Sequence, residues 1–259
     1  MVDSDIADSC AEDESSVSLE IGPGIGVLTK ELAERYEKVI SLEIDKNLLP
    51  VLAYTLSEYK NVEIINEDVM KADLDALLGQ YFECGKVSVC ANLPYYITTP
   101  ILMKLLESRL PFEAITIMIQ SEVADRLCAS AGKSDYGAIT AVLAYYGIAE
   151  RLFTVTADNF VPAPKVDSAV VRIKLYKEIP YKPKSETMMF RTIKAAFEQR
   201  RKTLSNALAN GFGELTKDEI KEIIEACGHR PDIRGERLDI SDFVTLSDAI
   251  FDKIEEKSR

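Results

Sequence analysis

From Val17 to Gln120 the chain alternates short β-branched runs with longer stretches of helical spacing, and this alternation limits the fold more than any other feature. Val17–Ile21, Lys38–Glu43, Val62–Ile65, Val87–Ala91 and Ala114–Gln120 read as strands, with Val27–Arg35, Lys46–Glu58 and Pro100–Ser108 as helices between them. Strands joined through helices run parallel, and a parallel sheet needs both faces covered. Ala138–Tyr146 reads as a further helix. Arg151–Thr156 and Ser168–Leu175 then follow with no helix between them, joined by the proline-containing loop Ala157–Asp167, so they predict an antiparallel closure of the sheet. Tyr176–Ser185, with two prolines and several lysines, reads as a linker. Beyond it helices are predicted over Glu186–Asn210, Lys217–Ala226 and Ser241–Ile254. The fold class is α/β: a mostly parallel sheet with an antiparallel last strand, plus a small all-helical C-terminal domain. The domain reading is an acidic segment over 1–16, a sheet domain over 17–178 and a helical domain over 179–259.

The 259 residues are 47% hydrophobic and 29% charged, which is ordinary for a globular chain and excludes collagen, wholesale disorder and a disulfide scaffold. No apolar run approaches the roughly 18 residues of a membrane span, and the N-terminus is acidic where a secretory signal is basic and then apolar. A cytoplasmic protein is expected. The five cysteines are scattered without a C-x-x-C pair and His229 is the sole histidine, so neither a metal centre nor a disulfide framework is expected. The net charge of −12 argues against a nucleic-acid partner, but the charge is uneven. Residues 1–20 hold Asp3, Asp5, Asp8, Glu12, Asp13, Glu14 and Glu20 with no Lys or Arg. Phe190–Asn206, by contrast, carries Arg191, Lys194, Arg200, Arg201 and Lys202 against Glu198 alone, a local balance of +4.

Glu20-Ile21-Gly22-Pro23-Gly24-Ile25-Gly26 follows the first strand and opens a helix. Glycines there let a ligand approach the turn, and the helix N-terminus favours anionic groups; glycine-rich strand-to-helix turns also occur for steric reasons alone. Glu43, at the end of the second strand, stands at roughly the 20-residue spacing at which an acid meets ribose hydroxyls. A solvated strand end is its bland reading, and Asp45 beside it suits a helix N-cap. Together the glycines and Glu43 point to a nucleoside cofactor. Asp68, after the third strand, is placed to accept a hydrogen bond from an exocyclic adenine amine or to face solvent.

Asn92-Leu93-Pro94-Tyr95 ends the fourth strand, at the sheet edge where ligands bind in doubly wound folds. The Asn92 side-chain carbonyl and the Pro94 backbone carbonyl can accept hydrogen bonds from one planar amine while Tyr95 stacks on the ring that bears it. Asn-x-Pro also makes plain turns.

At these residues the chain resembles a known family. Glu20–Gly26, Ser41–Asp45, Asn66–Asp68 and Asn92–Tyr95 look like the motifs of S-adenosylmethionine-dependent adenine-N6 methyltransferases. Asn159–Ser168 (NFVPAPKVDS) and Ala196–Leu204 (AFEQRRKTL) narrow the resemblance to the small-subunit rRNA adenine dimethyltransferases, the KsgA family, over Val17 to the C-terminus. The resemblance implies a Rossmann-like methyltransferase fold and two methyl transfers to N6 of each of two adjacent adenosines in a hairpin near the 3′ end of 16S rRNA, during ribosome maturation. It implies Asn92, Pro94, Tyr95 and Phe160 at the target base, with Phe160 stacking opposite Tyr95 or else plugging the proline loop. Glu20, Gly22, Gly24, Gly26, Glu43, Asp68 and Asn92 would hold S-adenosylmethionine. Arg200, Arg201 and Lys202, read as part of one long helix, would grip rRNA phosphates; a solvated lysine-rich face is the alternative. A monomer is the family expectation.

Relatives in the family carry a Gln-Asn-Phe-Leu-like arm before the first strand, which Met1–Ser16 does not match; Val2–Asp8 looks like the helix that follows it, and weakened cofactor binding is the expectation. Two other functions compete: a large-subunit rRNA adenine dimethyltransferase giving antibiotic resistance, and a non-catalytic ribosome-assembly factor of the same fold.

Overall fold

The computed structural model describes residues 2–11, 16–160, 162–199 and 201–258. In chain order the elements are α1 (Val2–Ala11), β1 (Val17–Ile21), α2 (Val27–Ala33), β2 (Lys38–Leu42), α3 (Leu49–Thr55), β3 (Val62–Ile65), α4 (Leu74–Cys84), β4 (Val87–Asn92), α5 (Thr98–Glu107), β5 (Ile115–Gln120), α6 (Ser121–Leu127), α7 (Ala138–Tyr146), β6 (Gly147–Val155) and β7 (Ser168–Leu175). The helices α8 (Glu186–Glu198), α9 (Leu204–Gly211), α10 (Lys217–Ala226) and α11 (Ile240–Lys257) complete the chain.

The seven strands form one sheet in the order β3-β2-β1-β4-β5-β7-β6. β1 pairs parallel with β2 and β4, β4 pairs parallel with β5, and β7 pairs antiparallel with β5. The expected antiparallel closure is present. The chain runs outward from β1 to β3 and returns to β4 on the other side of β1, which places the switch in strand order between β1 and β4. Every residue of β1 is buried, as a central strand covered on both faces requires. Ile6, Ala7 and Cys10 of α1 pack with Leu28 and Leu32 of α2 and with Cys90, Met118 and Val170 of the sheet.

α1 is held by more than packing. Arg35 donates to Asp8 at 2.6 Å and to Ser4 at 2.8 Å, and Arg172 donates to the Ser9 carbonyl. A disulfide joins Cys10 to Cys90. Scattered cysteines therefore yield one cross-link after all, between residues 80 apart in sequence that the core brings together.

The chain divides into two compact units, Met1–Ala124 with Ile148–Lys177, and Asp125–Gly147 with Glu178–Arg259. Asp125–Gly147 thus belongs with the C-terminal helices, where a linear boundary at 178 would not put it. Aromatic contacts account for this: Tyr145 and Tyr146 pack on Phe190 of α8, and the Tyr145 hydroxyl donates to Glu186 at 2.8 Å. Among the described residues no helix is long and apolar enough to cross a membrane.

The long helix expected over Glu186–Asn210 is two helices, because its middle offers the backbone better partners. Thr203 is extended as the N-cap of α9, its hydroxyl accepts from the Asn206 side chain at 2.8 Å, and the Leu204 N–H leaves the helical ladder for the Ile233 carbonyl at 2.6 Å. Such local side-chain bonds compete with helix continuation. Arg201 and Lys202 therefore lie exposed in a turn between α8 and α9, and Arg200 lies outside the described residues.

Candidate active site

The β1–α2 turn is built by glycines in the left-handed region: Gly22 at φ 71°, Gly24 at 59° and Gly26 at 88°. Their reasons differ. A Cβ on Gly26 would meet Leu52, Leu56 and Thr55 at 3.2 Å each, so α3 packs against the bare backbone, whereas Gly22 and Gly24 face open space. Thr55 ties the two elements, its hydroxyl donating to the Ile25 carbonyl at 3.0 Å.

Beneath the turn sits Glu20, 1% exposed. Its Oε2 accepts from Thr29 at 2.8 Å and from Ser41 at 2.6 Å, so the acid knits β1, α2 and β2 together. Burial pushes its carboxyl up to about 7, with the neighbouring Asp3 and Glu43 adding in the same direction. Glu43, also buried, accepts from the Asp45 N–H at 2.7 Å. Asn66 donates to the Glu43 carbonyl at 2.7 Å and clasps the ends of β2 and β3. Asp45 caps the turn at Lys46–Leu48. Asp68 Oδ1 accepts the Met70 N–H at 2.9 Å, and Lys104 of α5 steadies the same loop by donating to the Met70 and Ala72 carbonyls at 3.0 and 2.7 Å.

At the end of β4, Asn92 is exposed and in register with Met118 of β5. The Pro94 carbonyl accepts from the Ile97 N–H at 3.1 Å and from the Thr98 hydroxyl at 3.2 Å, so both its lone pairs serve the turn that starts α5. The half-buried Tyr95 shares a hydrogen bond of 2.8 Å with Ser168.

A cavity of about 280 Å³ joins these parts. Glu20, Gly22, Gly24, Asn92, Met118, Asn159 and Phe160 line it, together with Val2 and Asp3 of α1. This is near the lower end of the roughly 300–1,000 Å³ usual for ligand pockets. Two larger clefts, about 650 Å³ beside α5 and about 710 Å³ around Gly228–Arg237, hold none of the motif residues. Glu43, Asp68 and Tyr95 stand outside the lining of the small cavity, at neighbouring strand ends. No sequence signal marks Asp3 or Met118: Asp3 sits in an acidic stretch with no motif and Met118 in an apolar strand, whereas Asn159 opens the proline-loop motif Asn159–Ser168 without being read there as a site residue. The donor set fits a nucleoside ligand, since two cradle glycines open onto the cavity and two carboxylates, Glu43 and Asp68, follow at the next strand ends.

The chain matches a family model described as ribosomal RNA adenine dimethylase over residues 2–228. It is 45% identical over 243 residues to a ribosomal RNA small subunit methyltransferase A of Alkaliphilus metalliredigens, covering 94% of this chain and 85% of that one. It is 49% identical over 238 residues to the protein of the same name from Geobacillus kaustophilus, covering 90% and 80%. Among solved structures, a dimethyladenosine transferase from Plasmodium falciparum superposes with a TM-score of 0.78 at 24% identity, over 97% of this chain and 96% of that one. The 23S rRNA methyltransferase ErmE gives 0.69 at 23% identity over 96% and 97%; both likenesses concern the fold. A match that begins in α1 and runs through the sheet into the C-terminal helices, with nearly half the residues identical to relatives, leaves one assignment: this chain belongs to the ribosomal RNA adenine dimethylase family.

Proposed function

We propose that this protein transfers methyl groups from S-adenosylmethionine to N6 of two adjacent adenosines in a hairpin near the 3′ end of small-subunit rRNA, leaving each as N6,N6-dimethyladenosine. The observation that carries this reading is the cavity at the switch between β1 and β4, lined by the glycine turn and by Asn92, in a chain of this family. When bound, the cofactor supplies an electrophilic methyl group on a sulfonium. Gly22 and Gly24 bring the backbone against it, Glu43 accepts from ribose hydroxyls, and Asp68 accepts from the adenine amine. Glu20 holds the turn in shape from below.

The target adenine leaves its stack to reach the sheet edge. There Asn92 accepts a hydrogen from N6 and turns the nitrogen lone pair toward the methyl group, while Tyr95 and Phe160 cover the two faces of the base. Pro94 shapes the turn, its carbonyl being committed to Ile97 and Thr98. One fixed acceptor asks for one N–H, which a monomethylated amine still has, so a second transfer is open. In-line displacement draws its catalysis from positioning, and the attacking amine releases its proton to water without a tuned base. Arg200, Arg201 and Lys202 contact rRNA phosphates, which position the substrate without reading sequence.

Asn92→Ala tests the role. Methyl transfer to unmethylated small subunits should fall about 100-fold or more in single turnover at saturating cofactor, so that any loss of cofactor affinity through the shared cavity lining does not account for it. Unchanged transfer by the variant would defeat the assigned role.

A further inference from the structure

The strand end that opens β7 holds the ring of Tyr95. Ser168, fully buried, is the first residue of β7, in register with Gln120 of β5. A polar side chain buried in a strand otherwise rich in apolar residues needs a hydrogen-bond partner, and the one it finds is the Tyr95 hydroxyl at 2.8 Å. Its neighbour Asp167 is fixed in turn: its carbonyl accepts the Ser121 N–H at 3.0 Å and its carboxylate accepts the Ala157 N–H at 2.9 Å. Ala157 begins the loop that carries Phe160. One dipeptide therefore ties the turn bearing Tyr95 and the loop bearing Phe160 to the same point of the sheet.

We propose that Ser168 is a positioning residue for the target base, fixing the position of the Tyr95 ring so that the base stacked on it presents N6 to Asn92. This rests on the reading of Asn92–Tyr95 as the target site. A side chain attached only at Cβ swings about χ1; a bond from the hydroxyl at its far end to a buried strand removes that swing and fixes where the ring lies before the base arrives. Small misplacements of a reacting group are costly, on the order of 100-fold for about 1 Å. Neither Ser168 nor Tyr95 lines the cavity that holds Gly22 and Gly24, so the effect falls on transfer and leaves cofactor binding alone.

The test compares Ser168→Ala, Tyr95→Phe and the double variant in single-turnover methyl transfer to unmethylated small subunits, with S-adenosylmethionine affinity measured alongside. Each single variant removes the same hydrogen bond. Each should slow transfer about tenfold with cofactor affinity unchanged, the double variant should be no slower than either single, and Ser168→Thr should restore most of the rate. Parental transfer by Ser168→Ala, or losses that multiply in the double variant, would overturn the proposal. So would a fall in cofactor affinity in step with transfer, which would mark Ser168 as structural only. A parent protein that transfers no methyl at all would instead strike at the proposed function, and the positioning role would fall with it.

Discussion

Glu20 is a carboxylic acid enclosed at the end of a central strand, with Thr29 and Ser41 as its hydrogen-bond donors. Its carboxyl stands at about 7 in the folded chain against 4.5 when exposed. Between those values the folded chain keeps a proton that the unfolded chain has released, so stability drains away as pH rises through that window, and the cost is complete above about 7. Glu20→Gln cannot ionise and removes this slope. Relative to the parent, the variant should gain stability between about pH 5 and pH 8 by on the order of 3 kcal/mol, read from urea unfolding at each pH. A difference between the two proteins that stays constant with pH would contradict the burial argument. Glu20 is legible as a motif residue, but its hydrogen bonds are not: Thr29 and Ser41 lie 9 and 21 residues away, and although Ser41 opens the Ser41–Asp45 motif, no local pattern pairs either residue with Glu20.

The β1–α2 turn shows why two glycines of one motif differ. Gly24→Ala meets only the left-handed backbone, φ 59° with open space around it, and should cost about 1 kcal/mol. Gly26→Ala adds crowding by Leu52, Leu56 and Thr55 at 3.2 Å and should cost about 2 kcal/mol or more. Chemical denaturation of the two variants checks the order, which would be reversed or absent if α3 did not pack on the turn. Strands are the most readable elements: β1, β3 and β7 have the bounds that their sequences predict, because short β-branched runs stand out from the helical spacing around them. The basic segment misleads because five cations in helical spacing look like one face, while Thr203, Asn206 and the distant Ile233 carbonyl end the helix. Its charges also divide by use. Arg191 forks onto Glu214 at 2.9 and 3.0 Å, donates to the Gly211 carbonyl and lies 4.3 Å over the Phe212 ring, and the pairing holds the Glu214 carboxyl below its ordinary value. Arg191→Met should lower stability by about 1 kcal/mol, since the pair is well exposed. Neutralising Arg201 and Lys202 should leave stability unchanged, weaken binding to small subunits and flatten its salt dependence by roughly 0.7–0.9 for each phosphate no longer neutralised; an unchanged salt slope would remove them from the interface.

The net charge of −12 taken alone argues against nucleic acid, and its distribution reverses that inference. Over half of the excess lies in residues 1–20, while the turn proposed to meet RNA is locally basic. A chain this acidic should bind bulk RNA weakly at physiological salt, so the proposed basic segment predicts selectivity for a structured ribosomal particle over general RNA affinity. The division into two units follows from the same sequence only in part: the C-terminal helices are readable, but the return of Asp125–Gly147 to them depends on Tyr145 and Tyr146 meeting Phe190, a contact no linear pattern contains. Substrate identity is where these features converge. Small and large ribosomal subunits from a strain lacking adenine dimethylation, incubated with the protein and S-adenosylmethionine, can be digested and the modified nucleosides mapped by mass spectrometry. Two adjacent N6,N6-dimethyladenosines in a hairpin near the 3′ end of small-subunit rRNA, absent with Asn92→Ala, are the expected result; methylation confined to large-subunit rRNA, or no methylation of either particle, would contradict the proposed function.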